Sequence, residues 1–204
     1  MAKIRSALEI ALERTESVKS DKTSIGLFEA KQKGKKLANE FLEGSGSAAS
    51  GVKSLEAEIK KETPEAQSSF RQGVFDVLIS QIILPAAKEE LKRIEAAGQG
   101  LHVVIGGKRF GEIVKQLMQL MNQYLAEAEQ YDQAIRKQYA PKLRQKEEEL
   151  SRRLRRPVQL DPSQDPEFAA FYNQNMNALK ENYQSAIREV REEAIRLFGE
   201  NNPQ

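Results

Sequence analysis

Two apolar ladders in the C-terminal half of the chain most constrain its fold, because each steps by three or four residues over many turns. The first ladder consists of Phe110, Val114, Leu117, Met121, Tyr124, Ala128, Tyr131 and Ile135. The second consists of Phe168, Tyr172, Met176, Leu179, Tyr183, Ala186, Val190, Ala194 and Leu197. Two such seams separated by a proline-rich bend predict an antiparallel helical hairpin with coiled-coil packing.

Composition excludes several classes of protein. The 204 residues carry 32 Lys plus Arg against 30 Asp plus Glu, so no overall field steers the chain toward nucleic acid or an anionic membrane. The chain has no cysteine, which excludes disulfides, thiolate nucleophiles and Cys-ligated metal centres. We predict no cofactor. Glu9 and Glu13 interrupt the first apolar stretch, which therefore does not resemble a secretory signal, and we expect a cytoplasmic protein.

The N-terminal part of the chain predicts a pair of helices and then a linker. Helices are expected over about 3–18 and 27–43, with the polar stretch 19–24 between them. Residues 44–51 read GSGSAASG, a composition typical of flexible linkers, although an ordinary loop within one domain fits equally well. The predicted domains are therefore a helical pair at 1–43, a Gly/Ser linker at 44–51 and a helical core at 52–204.

The core region contains a strongly apolar central helix and two start signals. Thr63-Pro64-Glu65 is typical of a helix start, and the helix that follows is apolar on more than one face. We expect Pro85 to kink or divide it, and Gly98 and Gly100 to end the continuation. Asp165-Pro166-Glu167 repeats the start signal for the last helix, which Gly199 is expected to close.

Two further features of this region leave alternatives open. Residues 101–107, LHVVIGG, are strand-like but have no obvious strand partner, so we expect an extended connector packed on helices or half of a small hairpin formed in a dimer. In the long helix that starts near Phe110, Pro141 either kinks the helix or divides it into two.

Possible binding residues fall into two groups. Two basic clusters have the local positive density that phosphate binding needs: Lys31, Lys33, Lys35 and Lys36, and Arg152, Arg153, Arg155 and Arg156. For the arginines, pairing of Glu148 with Arg152 and of Glu149 with Arg153 is a competing explanation. A weaker candidate is an anion site formed by Gly106, Gly107, Lys108 and Arg109, where glycines precede a helix N-terminus.

The remaining polar and aromatic candidates have structural explanations. His102 is the only histidine and has no carboxylate nearby in sequence, which favours a structural role over a catalytic one. The five tyrosines lie at or near the seams, where packing explains them as well as ligand binding does. Asp76, Ser80 and Gln81 on the apolar central helix either line a pocket or are satisfied by partners that set helix register.

We therefore predict an all-α helical bundle with a long antiparallel coiled-coil-like hairpin and a kinked central helix. Long amphipathic helices with few residues suited to chemistry favour a non-enzymatic protein-interaction or scaffold protein, whose partner is another protein or a second copy of the chain. One alternative is a nucleic-acid-associated protein that uses the two basic clusters. The other is a small-ligand-binding protein or enzyme at the loop 103–111. No membrane association is expected, because the most apolar run, residues 74–84, is too short to span a bilayer.

Overall fold

The fold is all-α, as predicted. A computed structural model describes residues 7–44 and 48–202 of the chain, with side chains for 24–44 and 50–202. The described residues form six α-helices and no strand: α1 (Ala7–Glu43), α2 (Ala48–Lys61), α3 (Pro64–Ser80), α4 (Leu91–Ile105), α5 (Lys108–Leu154) and α6 (Pro166–Asn201). Two short 3-10 turns lie at Lys88–Glu90 and Pro162–Gln164.

The contacts divide the chain into two compact units. Among the described residues, unit 1 contains 7–44, 48–82, 92–114 and 193–202, and unit 2 contains 83–91 and 115–192. Both α5 and α6 contribute residues to each unit. The predicted domains at 1–43 and 52–204 were instead divided at the Gly/Ser-rich segment of the sequence, and that division stays a prediction.

Unit 1 contains a very close crossing of α1 and α3. A Cβ added at Gly34 would lie 2.2 Å from the Phe70 carbonyl oxygen, and one added at Gly73 would lie 2.1 Å from the Lys31 carbonyl oxygen. Only glycine allows two helix backbones to approach this closely. The crossing therefore depends on both glycines, one from each helix.

Helix α4 replaces the extended connector predicted at residues 101–107, and that prediction was wrong. Gly98 and Gly100 lie inside α4, where added Cβ atoms would come within 2.9 Å of Val114 and 2.7 Å of Leu78. These glycines therefore permit close packing of a buried helix and do not end it. The helix ends instead at Gly106 and Gly107, whose φ angles are +76° and +81°.

The apolar residues Leu101, Val104 and Ile105 explain why a strand-like segment is helical. Each is almost completely buried, at 1%, 0% and 2% exposure. Because a helix that is buried on several faces carries β-branched residues without losing packing, tertiary contacts override the local preference for a strand.

Three other boundaries differ from the predictions. Residues 19–24 are helical, so the expected N-terminal pair is a single helix, α1. Helix α3 starts after Thr63 as predicted but ends at Ser80, before Pro85. Helix α2 begins at Ala48, inside the predicted linker, while residues 45–47 of that linker lie outside the described part of the chain.

Unit 2 is built on aromatic contacts between α5 and α6. The ring centroids of Tyr124 and Tyr183 lie 5.2 Å apart, and those of Tyr139 and Phe168 also lie 5.2 Å apart. Because the contacts occur in opposite order along the two helices, the helices run antiparallel in this unit. Their buried core consists of Tyr124, Ile135, Tyr139, Phe168, Met176, Leu179 and Tyr183. Coiled-coil packing itself stays a prediction.

Helix α5 continues through Pro141, so the alternative of two separate helices was wrong. After Leu154 the chain forms a connector, residues 155–165, that leads into α6. Two side chains of α5 hold its backbone: Glu147 Oε1 accepts from the Leu160 N–H at 2.8 Å, and Ser151 Oγ accepts from the Val158 N–H at 2.9 Å. The proline-rich bend is therefore fastened to α5.

Candidate functional site

The densest polar arrangement in unit 2 lies where the connector meets α6. We call it the charge cluster, and it consists of Tyr139, Lys142, Lys146, Asp165 and Glu167. Asp165 is at its centre: Lys146 Nζ donates to the two Asp165 carboxylate oxygens at 2.8 and 3.0 Å. The Tyr139 hydroxyl donates to Asp165 Oδ2 at 2.9 Å.

Asp165 also starts α6. Its Oδ1 accepts from the Glu167 N–H at 3.0 Å, and its backbone carbonyl accepts from the Ala169 N–H at 2.9 Å. An acidic side chain that accepts from the first N–H groups of a helix satisfies donors that have no partner within the helix. The predicted start signal at Asp165-Pro166-Glu167 is thus confirmed by α6, which begins at Pro166.

The ion pairs of the charge cluster strongly favour the ionised carboxylates. The hydrogen bond from Lys146 is the main reason that the pKa of Asp165 is lowered to about 2. Lys142, at 2.8 Å, and Lys146, at 2.9 Å, lower the pKa of Glu167 to about 2. In return, Asp165 and Glu167 raise the pKa of Lys146.

Tyr139 connects this polar cluster to the aromatic core. Its side chain is buried, and that burial, followed by the bond to Asp165, raises its pKa. Every buried polar side-chain atom among the described residues has a hydrogen-bond partner, so the cluster leaves no buried polar group unsatisfied.

A pocket of about 410 Å³ opens beside the charge cluster, also within unit 2. One wall is a single face of α5, and the other is the connector with the first residue of α6. Its lining residues are Lys146, Glu149, Leu150, Arg153, Leu160, Asp161, Gln164, Asp165 and Pro166. Apolar, acidic, basic and amide groups therefore face the same space.

The lysine cluster predicted on α1 is partly neutralised by neighbouring carboxylates. Lys31 Nζ lies 2.9 Å from Asp76 Oδ2, and Lys36 Nζ lies 3.8 Å from Glu40 Oε1. Lys33 is exposed and Lys35 is half-buried, and neither has an ion pair with another described residue. The four lysines thus do not present four free charges.

The arginine cluster remains more open. All four arginines are exposed, and Arg155 adopts a left-handed backbone conformation with a φ of 52°. Arg152 Nη2 lies 3.8 Å from Glu148 Oε2, as expected from their spacing. The expected pair of Glu149 with Arg153 does not form, although both residues are described.

The predicted anion site already has a carboxylate beside it. Gly106 and Gly107 form the turn before α5, and Lys108 is the first residue of that helix. Arg109 Nη2 lies 2.8 Å from Glu193 Oε1, which also pairs with Arg196 at 2.7 Å. A bound anion would therefore have to compete with Glu193 for Arg109.

The other single residues have packing or partner explanations. The His102 ring is exposed and lies beside Gly111, whose added Cβ would come within 3.2 Å of His102 Cε1. Gln72 and Lys31 satisfy Asp76, and the Ser80 hydroxyl donates to the Val77 carbonyl at 2.6 Å. Arg93 donates to Gln81 Oε1 at 2.8 Å, so these three polar residues of the central segment have local partners.

Sequence reasoning missed the charge cluster and the pocket. It recognised Asp165-Pro166-Glu167 only as a helix start and Tyr139 only as a seam residue. The partners lie 19 and 26 residues apart in sequence, a separation that no short motif reveals. The usable signal was Tyr139 and Lys146 two turns apart on one helix, opposite an acidic helix start.

Within the described part of the chain, no group of three or more acidic or histidine side chains is arranged to hold a metal ion. Among the described helices, none has an apolar stretch of the length that a bilayer crossing requires.

Comparisons with known proteins identify the family of the chain. No curated protein and no solved structure matches it. Residues 56–196, more than half of the chain, match a family of unknown function, DUF6657, and the chain belongs to that family.

Proposed function

We propose that this is a non-enzymatic protein-interaction protein that binds an acidic amphipathic helix of another protein along the outer face of α1. The observation that carries the proposal is the exposure of two large apolar side chains on that face. Ile25 is 56% exposed and Phe28 is 62% exposed. Large exposed apolar groups that share one face are typical of a binding surface.

The helical spacing places these side chains opposite the core. Ile25 and Phe28 are three residues apart, and Gln32 and Lys36 continue the same exposed face at steps of four. The buried face of this part of α1 carries Ala30, Gly34 and Ala38 instead. Glu29, one turn after Ile25, is also exposed on this face, which therefore carries an apolar pair, one carboxylate and then polar and basic residues.

Two lysines further along α1, Lys33 and Lys36, favour an acidic partner. Lys33 has no carboxylate partner among the described residues. Lys36 has 81% of its side chain exposed and is 3.8 Å from Glu40, a separation typical of a weak surface pair. A partner helix with apolar residues and carboxylates would match both parts of this face. A second copy of this chain would bring its own lysines, so a different protein fits better.

Nucleic acid is the weaker alternative at this surface. Asp76 and Glu40 already lie beside two of the four predicted lysines, and Ile25 and Phe28 offer nothing to a phosphate. A nucleic-acid role for the exposed arginines at 152, 153, 155 and 156 stays a prediction. Because the sequence predicts a cytoplasmic protein, we expect the partner to be cytoplasmic as well.

The test places a photo-crosslinking amino acid at position 28 and, as a control, at Ile195, which is 55% exposed on α6. We expect crosslinks at position 28 to one protein segment that is acidic and amphipathic, and none to that segment from position 195. A crosslink to nucleic acid, to a second copy of this chain, or to no macromolecule would overturn the proposal.

A binding measurement then tests the chemistry of the surface. A synthetic peptide of the captured segment should bind the wild-type protein about tenfold more tightly than Phe28→Ser, because a buried aromatic side chain contributes about 1.5–3 kcal/mol. Ile195→Ser should bind like the wild type. A peptide with Gln in place of its acidic residues should bind more weakly and with less dependence on salt. Equal binding by both peptides would contradict the acidic-partner proposal.

A further inference from the structure

We propose that the pocket beside the connector binds a free α-amino acid with an apolar side chain. The proposal concerns unit 2 alone and does not depend on the surface of α1. It rests on the size of the pocket, on two unpaired charges of opposite sign that line it, and on three apolar lining residues.

The volume is right for a small molecule. The pocket holds about 410 Å³, near the lower end of the roughly 300–1,000 Å³ typical of small-ligand sites. A single amino acid fits within such a space, as do other small molecules of similar or somewhat larger size. Size therefore limits the ligand to a small molecule, and the charges and apolar groups of the lining select its chemistry.

Glu149 and Arg153 supply the two charges. They are one helical turn apart on the pocket face of α5, both are exposed, and neither has a hydrogen bond or ion pair with another described residue. The adjacent pair with the same spacing, Glu148 and Arg152, do approach each other, at 3.8 Å. Glu149 and Arg153, which line the pocket, are thus available to bind a ligand.

A zwitterion matches this pair. A guanidinium donates to a carboxylate through two parallel hydrogen bonds, so Arg153 would take the carboxylate of the ligand. The Glu149 carboxylate would accept from the ammonium group. Since Cβ atoms one turn apart are about 5–6 Å from each other, the two side chains can reach both ends of an amino acid.

The other charged lining residues are already engaged. Lys146 is held by Asp165 and Glu167, and Asp161 Oδ1 accepts from the Ser163 N–H at 2.9 Å. These groups maintain the connector, which forms the opposite wall of the pocket. Three carboxylates, those of Glu149, Asp161 and Asp165, line the pocket, so an anion without an ammonium group to pair with Glu149 is disfavoured.

Leu150, Leu160 and Pro166 define the side chain that the ligand carries. They are the apolar lining residues, two on the opposing walls and one at the start of α6. An apolar ligand side chain would leave water by packing against them. Leucine is therefore the probe of choice, and glutamate and lysine should bind more weakly.

The test is titration calorimetry of the full chain with leucine, leucinamide and N-acetylleucine. Leucinamide lacks the carboxylate and N-acetylleucine lacks the ammonium group, so each should bind about tenfold more weakly than leucine. Binding of N-acetylleucine as tight as that of leucine would indicate a peptide C-terminus as the ligand and would overturn the proposal. Absence of leucine binding up to its solubility limit would also overturn it.

Variants of α5 test the assigned contacts. Arg153→Gln and Glu149→Gln should each weaken leucine binding about tenfold, because each removes one charge-assisted interaction. Arg152→Gln and Glu148→Gln are matched controls on the same two turns, outside the pocket lining, and should bind leucine like the wild type. All four residues are exposed, so thermal unfolding should confirm that every variant folds. Equal leucine affinity in the pocket variants and the controls would refute the assignment.

Discussion

The crossing of α1 and α3 predicts that Gly34→Ala destabilises the protein even though alanine is the better helix former. The new Cβ would lie 2.2 Å from the Phe70 carbonyl oxygen, whereas ordinary contacts begin at 3.4 Å. The helices must therefore separate by about 1 Å, and a gap of that size forfeits a quarter to a half of each van der Waals contact across the crossing. The atom in the way is backbone and cannot rotate aside.

The expected magnitude combines two opposing effects. Overpacking of a tight contact costs about 1–3 kcal/mol, and a backbone obstacle places this site near the upper end. Replacement of a helical glycine by alanine returns about 1 kcal/mol. We therefore expect Gly34→Ala to lower the free energy of unfolding by about 2 kcal/mol.

Gly26 provides the matched control, because it lies in the same helix with nothing within 4 Å of an added Cβ. Gly26→Ala should stabilise the protein by up to about 1 kcal/mol. Urea unfolding followed by far-UV circular dichroism gives the free energies, and amide hydrogen exchange in α1 and α3 locates the change. A Gly34→Ala variant as stable as the Gly26→Ala variant would refute the reasoning.

Three further predictions concern unit 2 and the turn before α5. The lowered pKa values of Asp165 and Glu167, about 2, mean that their ion pairs stabilise the fold above about pH 4.5 and that this contribution is lost as the pH falls toward 2. Melting temperatures from pH 2 to 5 should therefore fall less steeply for Asp165→Asn than for the wild type, and equal slopes would contradict the assignment. Tyr139→Phe removes the hydroxyl that donates to Asp165 at 2.9 Å and should cost about 1 kcal/mol in urea unfolding, with no change expected for Tyr131→Phe, whose side chain is exposed. Gly107→Ala should cost about 1–2 kcal/mol through its φ of +81° alone, since nothing lies within 4 Å of the added Cβ, and an unchanged stability would show that this turn relaxes.

Sequence periodicity was a good guide to the helices whose apolar faces are buried. Most residues of the first ladder are buried in α5, including Phe110, Leu117 and Met121, and Tyr131 is the exposed exception. The start of α3 after Thr63 was also predictable, because proline at the first helical position is a local signal. Such features depend on a few neighbouring residues and need no knowledge of the fold.

The glycines show where local reasoning fails. By local propensity alone Gly34 would only weaken its helix, and Gly98 and Gly100 were expected to end theirs. In the structure all three lie within helices, at close contacts with residues that are distant in sequence. Their effect on stability therefore depends on another helix. Helix propensity describes a residue within its own helix and takes no account of a neighbouring helix. A glycine that propensity alone identifies as a helix breaker can therefore be the residue that allows two helices to pack closely.

The candidate sites show the same limit. The basic clusters were visible in sequence, but the carboxylates that neutralise Lys31 and Arg109 are Asp76 and Glu193, on other helices. The pocket was invisible, since one of its walls is an irregular connector whose path is determined by side chains of α5.

The way this connector is fastened has an evolutionary consequence. Its bonds to Glu147 and Ser151 use the backbone N–H groups of Leu160 and Val158, which nearly any residue at those two positions would supply. Connector residues that do not line the pocket can therefore drift in sequence while the path of the chain is kept. Selection acts instead on Glu147 and Ser151, two polar positions of a regular helix. Polar helix positions of this kind ordinarily vary among the members of a family.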